Sequence, residues 1–180
     1  MLIEILKTIE DHRDAEGREY YLHHILLFSI MGILSGAKTY TDLERFMLTH
    51  FDKLKPMFNL KWRRVPHFSA IRKIIIGVNS ESIEKAFRLF ANTYSGNSTA
   101  LRHICFDGKF LNGSFSHTKD NRAFNVFQAF STHDNIILGH ICLDDKDSEI
   151  NAFGEFLVGL NLQNCVVTAD AMHFQKKTLQ

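Results

Sequence analysis

The sequence contains little of what breaks or cross-links a chain. Its 180 residues include 2 Pro, 10 Gly and 3 Cys, which excludes a collagen-like repeat, a flexible linker and a disulfide-rich secreted scaffold. Apolar residues make up 45% of the chain, charged residues make up 23%, and 16 Phe supply large core side chains. These values are typical of a folded globular protein and exclude a disordered one.

Long hydrophobic runs are also missing. The longest, residues 25–37, is too short to cross a bilayer and predicts a buried helix. The first ten residues lack the charged start, apolar centre and cleavage site of a secretory signal. Cys105, Cys142 and Cys165 are widely spaced within apolar stretches, which predicts buried thiols without disulfides in a reducing compartment. We therefore expect a cytoplasmic protein with no membrane partner.

Charge of one sign is not in excess over the whole chain, because 21 Lys and Arg face 20 Asp and Glu. Residues 1–100 nevertheless carry 14 basic and 11 acidic side chains, whereas residues 101–180 carry 7 and 9. Residues 53–73, which we call the basic window, contain seven basic side chains and no acid. A solvated face is the ordinary interpretation, and a phosphate-contacting surface is the alternative. The seven are Lys53, Lys55, Lys61, Arg63, Arg64, Arg72 and Lys73.

Residues 20–93 place apolar side chains at helical intervals, which predicts four helices in succession. The second is predicted to start at a capping box formed by Thr41 and Glu44. The basic window lies between the second and third helices, where two prolines interrupt it. Apolar residues from Leu22 to Ile33 mark one face of the first helix. Further candidate boundaries are Ser69 and Gly77 for the third helix and Ser80 for the fourth.

After a short polar connector at residues 95–98, the pattern changes from helices to strands. Extended runs and helices then alternate in the order β-β-β-α-β-α. A helical crossover places the next strand parallel in the same sheet, so the fourth strand should lie beside the first in a mixed sheet. The strands are predicted at residues 103–106, 123–132, 136–143 and 165–168, with the crossover helix starting at residue 148 or 149.

Two aspartates follow strands that this topology makes neighbours. Asp107 is predicted to end the first strand and Asp170 the fourth, so both carboxylates should meet at one edge of the sheet. Neighbouring carboxylates repel unless they share a proton or a cation, and Mg²⁺ prefers such oxygen ligands. Each aspartate also has an ordinary explanation, because Asp107–Gly108 is a common turn pair and Asp170 can cap the next helix. Lys109 is placed to contact a phosphate.

Four short segments of the second half occur in a fixed order: residues 104–109, 112–114, 144–150 and 167–172. They contain an Asp-Gly-Lys strand end, a Lys-x-x-Glu-Ile helix start and a Thr-x-Asp-Ala-Met strand end. In these motifs the chain resembles the H-repeat-associated family of insertion-sequence transposases. The first half is similar to the helical domain associated with that family, so the resemblance covers nearly the whole chain.

The resemblance implies an α+β protein with an all-helical DNA-binding domain at residues 1–96. Residues 97–180 would form the first part of a ribonuclease-H-like DDE domain, which cuts and rejoins DNA with two Mg²⁺ or Mn²⁺ ions. Asp107 and Asp170 correspond to the first two catalytic, metal-binding carboxylates. The chain ends ten residues after Asp170, before the family's third acid, so we expect a truncated and inactive transposase. Its partners would be the element's terminal repeats, target DNA and a second copy of the chain.

Glu149 has two interpretations. In ribonuclease-H-like nucleases a Glu on the first crossover helix can reach the metal ions, so Glu149 is a candidate replacement for the missing acid. A glutamate at a helix start is also favoured by the helix dipole alone. The candidate DNA contacts are Lys109, Arg63, Arg64, Arg72 and Lys73.

Two other functions stay open. A non-catalytic module would bind DNA through the basic window alone, and an interaction fragment would need a partner to cover its sheet. The histidines lack a common ligand spacing, which favours core or surface positions over a zinc site. They are His23, His24, His103, His133 and His140. His173 is the exception, because it follows Asp170 by three residues and is a candidate to face the metal site.

Overall fold

The structure, a computed structural model, describes residues 1–16, 18–94, 101–111, 124–143, 149–160 and 162–169. The chain forms two compact units, which we call the helical unit (Met1–Ala86) and the sheet unit (Phe87–Gln180). The predicted α+β class, with helices before a mixed sheet, is confirmed. The elements are α1 (Leu2–Leu6), α2 (Leu22–Leu34), α3 (Tyr40–Met57), α4 (Phe68–Ile76), α5 (Ser80–Tyr94), β1 (Arg102–Leu111), β2 (Phe124–Ser131), β3 (Ile136–Leu143), α6 (Glu149–Gly159) and β4 (Cys165–Thr168).

The helical unit is built around α2, the apolar helix predicted from residue 22. Ile25 and Phe28 are fully buried, and α2 packs against α1, α3 and α4. The helix ends in a Schellman motif, in which the Gly36 and Ala37 N–H groups each donate to a carbonyl of the last turn at 2.9 Å. Gly36 has φ +97°, a conformation that disfavours any residue with a Cβ. None of the helices in the described part of the chain combines the length and apolar character needed to cross a membrane.

The predicted capping box at Thr41 and Glu44 is wrong by two residues. The box is formed by Thr39, whose hydroxyl accepts the Asp42 N–H at 3.1 Å, and by Asp42, whose carboxylate accepts the Thr39 N–H at 3.0 Å. The Thr39 hydroxyl also donates to the Asp42 carboxylate at 2.8 Å, and this bond, with the backbone N–H bonds from Lys38 and Thr39, lowers the pKa of Asp42. Glu44 instead accepts the Phe68 N–H at the start of α4, at 2.9 Å. Thr41 lies within the helix.

α3 is longer than expected and includes part of the basic window. It runs through Lys53 and Lys55 and accommodates Pro56 in its last turn. Asn59 then closes the helix with φ 49°, a left-handed conformation that asparagine tolerates better than most residues.

The third and fourth helices start close to the predicted serines, but a neighbouring residue provides each cap. α4 follows His67, whose Nδ1 accepts the Ser69 N–H at 3.4 Å, and it ends at Gly77 as predicted. α5 starts at Ser80, but Asn79 Oδ1 accepts a backbone N–H from its first turn at 3.0 Å. The predicted domain boundary after residue 96 lies beyond the last residue described for α5, and it stays a prediction.

The sheet unit contains a four-stranded sheet in the order β3-β2-β1-β4. β1 pairs with β2 and β2 with β3 in antiparallel fashion, whereas β1 and β4 are parallel. The prediction that the fourth strand lies parallel beside the first is therefore confirmed. One face packs on α6, where Phe106 and Phe156 meet edge to face with ring centroids 5.7 Å apart. The final helix expected after residue 171 lies outside the described residues.

β1 extends five residues past the predicted end at Phe106. Pairing with β2 continues through Asp107, which faces Gln128, to Leu111, which faces Phe124. Asp107 therefore lies within the strand, and the expectation that it ends the strand is wrong. The Asp-Gly pair does not form a turn because both residues have partners on β2.

The three cysteines all lie within the described ranges and form no disulfide, as predicted. Their expected burial is wrong, because Cys142 is exposed and Cys105 and Cys165 are half-buried. An apolar stretch of sequence does not decide which face of a strand a residue occupies.

Candidate functional site

Asp107 lies on the face of β1 opposite the packed core. Ile104 and Phe106 point into that core, and side chains alternate along a strand, so Cys105 and Asp107 share the other face. Asp107 is exposed. A carboxylate here is open to an ion or a substrate from solvent, which a core position would not allow.

The register between β1 and β4 bears directly on the predicted aspartate pair. Cys105 is the partner of Thr168 in the parallel ladder, and each of them precedes one of the two predicted aspartates by two positions in the sequence. Asp170 itself lies outside the described residues. The structure therefore establishes the alignment of the strands that lead to the pair.

A row of polar residues crosses the sheet at Asp107. Asp107 is in register with Gln128 on β2, and Gln128 is in register with His140 on β3. The His140 ring meets Phe87 of α5 edge to face, with centroids 5.5 Å apart. His140 was expected to occupy an ordinary core or surface position, and Phe87 accounts for the placement of its ring.

Two other predicted residues have backbones in the described elements, but their side chains lie outside the description. Glu149 begins α6 and Lys109 belongs to β1, so their proposed contacts with metal and phosphate stay predictions. His173 lies outside the described residues. Within the described ranges, no three His, Cys, Asp or Glu side chains form a group that could hold a metal ion.

The basic window forms an exposed surface on the helical unit. Arg63 and Arg64 lie in the segment between α3 and α4, whereas Arg72 and Lys73 lie on α4 beside the buried Ile71 and Ile74. All seven basic side chains of the window are exposed: Lys53, Lys55, Lys61, Arg63, Arg64, Arg72 and Lys73.

Buried residues between these charges fix the segment to the core. Trp62 is only 2% exposed and meets Tyr20 edge to face at 5.0 Å and Phe28 at 5.6 Å. Val65 and Pro66 are also buried. The basic side chains therefore project from a backbone that is held on both sides of Arg63 and Arg64.

Arg18 adds a cation beside Lys61 and Arg63, and no pattern in the sequence indicated it. Together with Lys61 and Arg63 it lines an open cleft of about 390 Å³, whose one acidic lining residue is Glu19. Arg18 lies far from the basic window in sequence, so a search for runs of charge misses it.

A short loop before α2 holds Arg18 in place. Arg13 donates twice to the Asp11 carboxylate, at 2.8 and 2.7 Å, and once to the Tyr20 carbonyl oxygen at 2.7 Å. Arg18 donates to the Asp14 carbonyl oxygen at 2.8 Å. The hydrogen bonds from Arg13 lower the pKa of Asp11, and burial raises the pKa of Tyr20.

His24 is the exception among the histidines of the first half. It packs against Phe28, Phe58 and Trp62, and its buried Nδ1 has no hydrogen-bond partner among the described residues. Burial lowers the pKa of His24 to about 4 and also lowers the pKa of His23. The predicted core position is therefore confirmed for His24, although no described residue satisfies its Nδ1.

Comparison with known proteins defines the class. A sequence model of the DDE_Tnp_1-associated domain matches residues 3–91. Over 175 residues, 97% of this chain, the sequence is 31% identical to the "H repeat-associated putative transposase YbfD" of Escherichia coli strain K12 and covers 68% of that protein. The chain belongs to the H repeat-associated transposase family, and the predicted resemblance is confirmed.

Longer relatives show the same similarity. Over 176 residues the chain is 32% identical to "Putative protein YbfL" and 31% identical to the "H repeat-associated putative transposase YhhI", both of Escherichia coli strain K12. These matches cover 97% of this chain and 46% of each relative, so the chain spans just under half of their length. No solved structure matches the chain.

Proposed function

We propose that the chain acts in DNA transposition, with Asp107 and Asp170 as metal-binding carboxylates of a ribonuclease-H-like domain and the helical unit as a DNA-binding surface. The parallel pairing of Cys105 with Thr168 carries the catalytic half of this proposal. It aligns the strands that lead to the two aspartates, each of which follows one member of this residue pair by two positions in the sequence. Membership of a transposase family supports DNA as the partner.

The donor chemistry suits a hard cation. Asp107 offers carboxylate oxygens on an exposed strand face, and Mg²⁺ or Mn²⁺ prefers oxygen donors and keeps several waters. Such an ion, when bound, supplies Lewis-acid stabilisation of a phosphoryl oxygen. The role of the protein is to hold the Asp107 carboxylate on a strand rather than a loop, with β1 fixed between β2 and β4.

The basic surface would position the duplex. Its exposed guanidinium and ammonium groups can neutralise backbone phosphates without reading base sequence. Arg63 and Arg64 are central to this role because Trp62 and Val65 hold the backbone on either side of them. Arg72 and Lys73 extend the charge along α4.

Manganese binding tests the catalytic half. We expect Mn²⁺ titrated into the protein, followed by electron paramagnetic resonance, to bind less tightly by about tenfold or more in Asp107→Asn. The matched control is Glu155→Gln, which removes an exposed carboxylate of α6 and should leave the binding unchanged. Equal Mn²⁺ affinity in Asp107→Asn and the original protein would refute the assignment.

Cleavage of DNA is the second readout for the same residue. A duplex carrying the element's terminal repeat should be nicked, if at all, only with Mg²⁺ or Mn²⁺ present, and Asp107→Asn should abolish the nicks. Nicking that survives this substitution would end the catalytic role of Asp107.

Salt dependence of DNA binding tests the helical unit. Removing two phosphate contacts by Arg63→Ala and Arg64→Ala should lower the slope of log K against log salt by about 2. Lys85→Ala, which removes an exposed lysine of α5 outside the window, is the control. The non-catalytic DNA-binding module would be favoured by two results together. DNA binding would need Arg63 and Arg64 but not Asp107, and the protein would fail to bind Mn²⁺.

A further inference from the structure

A second group of polar side chains lies on the same face of the sheet as Asp107. His103 and Cys105 are neighbours on that face of β1, and Thr168 stands beside them on β4. Their donor atoms form a small triangle: His103 Nε2 to Thr168 Oγ1 is 2.9 Å, Thr168 Oγ1 to Cys105 Sγ is 3.3 Å, and Cys105 Sγ to His103 Nε2 is 3.7 Å.

Two hydroxyl groups flank the His103 ring. Thr132 Oγ1 lies 3.3 Å from Nδ1, and Thr168 Oγ1 lies 2.9 Å from Nε2. A cation bound at Nε2 selects the tautomer that carries its proton on Nδ1, where Thr132 Oγ1 is in place to accept it. Ligating histidines commonly donate their other N–H to an oxygen in this way.

The separation of the sulfur and nitrogen atoms matches a chelate. Zinc binds sulfur at about 2.3 Å and imidazole nitrogen at about 2.0 Å, and a tetrahedral angle between them places the two donors about 3.6 Å apart. The observed 3.7 Å between Cys105 Sγ and His103 Nε2 requires almost no movement. Thr168 Oγ1 lies close enough to both atoms to complete a third position.

We propose that His103, Cys105 and Thr168 form a binding site for a thiophilic divalent cation of the zinc class. The Cys105 thiol releases its proton to solvent as the sulfur–metal bond forms, and water fills the remaining position. With two strong protein ligands, the site binds more weakly than a structural site with four.

This site is separate from the hard-cation site of the proposed function. Its donors are sulfur and nitrogen, which select zinc-class ions, whereas carboxylate oxygens select Mg²⁺. Cys105 precedes Asp107 by two residues, a distance of about 7 Å along a strand. An ion bound at Cys105 would thus place positive charge close to Asp107, so zinc-class ions should weaken Mn²⁺ binding there.

Cobalt substitution tests the site directly. We expect Co²⁺ added to the reduced protein to give the near-ultraviolet absorption of thiolate-to-metal charge transfer, and one equivalent of Zn²⁺ to remove it. Cys105→Ser should abolish the absorption, and His103→Gln should weaken Co²⁺ binding by about tenfold or more. Thr132→Val should also weaken binding by about tenfold, because outer partners of metal ligands carry effects of this size.

Matched variants guard against adventitious thiol binding. Cys142→Ser and Cys165→Ser remove the other two cysteines and should leave the cobalt absorption unchanged, with circular dichroism confirming that every variant is folded. Absorption that persists in Cys105→Ser, disappears in Cys142→Ser or is absent from the original protein would overturn the proposal. Displacement of Co²⁺ by excess Mg²⁺ would also overturn it. Failure of Mn²⁺ binding at Asp107, by contrast, would leave the cobalt result unaffected.

Discussion

The helical unit and the sheet unit use their surfaces in opposite ways. In the helical unit, Trp62 and Phe28 are buried in the centre, and the outside carries the basic surface. In the described part of the sheet unit, one face packs on α6, while the other presents Asp107 and the His103–Cys105 pair. The candidate phosphate contacts therefore belong to helices and the segment between them, and the candidate metal ligands to a strand face, where side-chain spacing is regular.

Each unit also contains its own reporter. Trp62 is the single tryptophan of the chain and lies in the helical unit, whereas all three cysteines lie in the sheet unit. Tryptophan fluorescence and thiol labelling can therefore follow the two units separately in the same sample.

The largest effect is expected from Phe28→Ala. Phe28 is fully buried beside Trp62, and loss of such a side chain costs about 3–5 kcal/mol. Urea unfolding followed by Trp62 fluorescence should shift to lower urea by a corresponding amount. Leu34→Ala is the control, because Leu34 is 83% exposed and its truncation should leave the midpoint nearly unchanged. Equal shifts in both variants would contradict the packing described for α2.

Acid should weaken the helical unit through His24. Because burial lowers the pKa of His24 from 6.5 to about 4, the unfolded chain binds more protons than the folded one between these values. The free energy of unfolding therefore has its full value above pH 6.5. It falls by up to about 3 kcal/mol as the pH drops towards 4.

Trp62 fluorescence in urea at pH 7 and pH 4.5 measures this loss. His24→Leu should remove most of the pH dependence, since His23 is then the one described histidine whose pKa is lowered. His133→Gln, an exposed histidine of the sheet unit, should keep the full dependence. A pH dependence that is unchanged in His24→Leu would show that another group is responsible.

A smaller effect is expected at the end of α2. Gly36 has φ +97°, so Gly36→Ala should destabilise the helical unit by about 1–2 kcal/mol. Asn59→Gly is the matched control at the end of α3, because glycine is also comfortable at φ 49°. The unfolding midpoint should fall for the alanine variant and stay level or rise for the glycine variant.

The smallest effect concerns the thiols of the sheet unit. Cys142 is exposed, whereas Cys105 and Cys165 are half-buried, so an aromatic disulfide reagent should modify Cys142 first. Cys142→Ser should remove the fast phase of labelling and leave the slower phases. A fast phase that survives would contradict the exposure of Cys142.

Local sequence rules predicted the elements well and their contacts poorly. Periodicity located α2 and α6, because burial of one face imposes a repeating pattern. The helical crossover then predicted the parallel pairing of β4 with β1. The cap of α3 was placed at Thr41 because Thr39 with Asp42 and Thr41 with Glu44 share one spacing, and only the fold decides between them. Glu44 bonds Phe68 across 24 positions, which no local pattern records.

The candidate sites show the same limit. Asp107 was recognised from its motif, yet its position within β1 depends on pairing with Gln128. Arg18 lines a cleft with Lys61 and Arg63, and Thr168 contacts Cys105, although these partners are far apart in the sequence. Neither a run of charges nor a ligand spacing could therefore reveal them. Single-sequence patterns find residue types, and the partners of those residues come from the tertiary fold.

The buried anchors beside Arg63 and Arg64 affect the thermodynamics of any complex they form. A disordered basic tail loses backbone entropy, at about 1–2 kcal/mol per residue, when it settles on a partner. Here Trp62 and Val65 have already fixed that backbone during folding. The same number of arginines should therefore bind more tightly from this segment than from a free peptide of identical sequence, at every salt concentration.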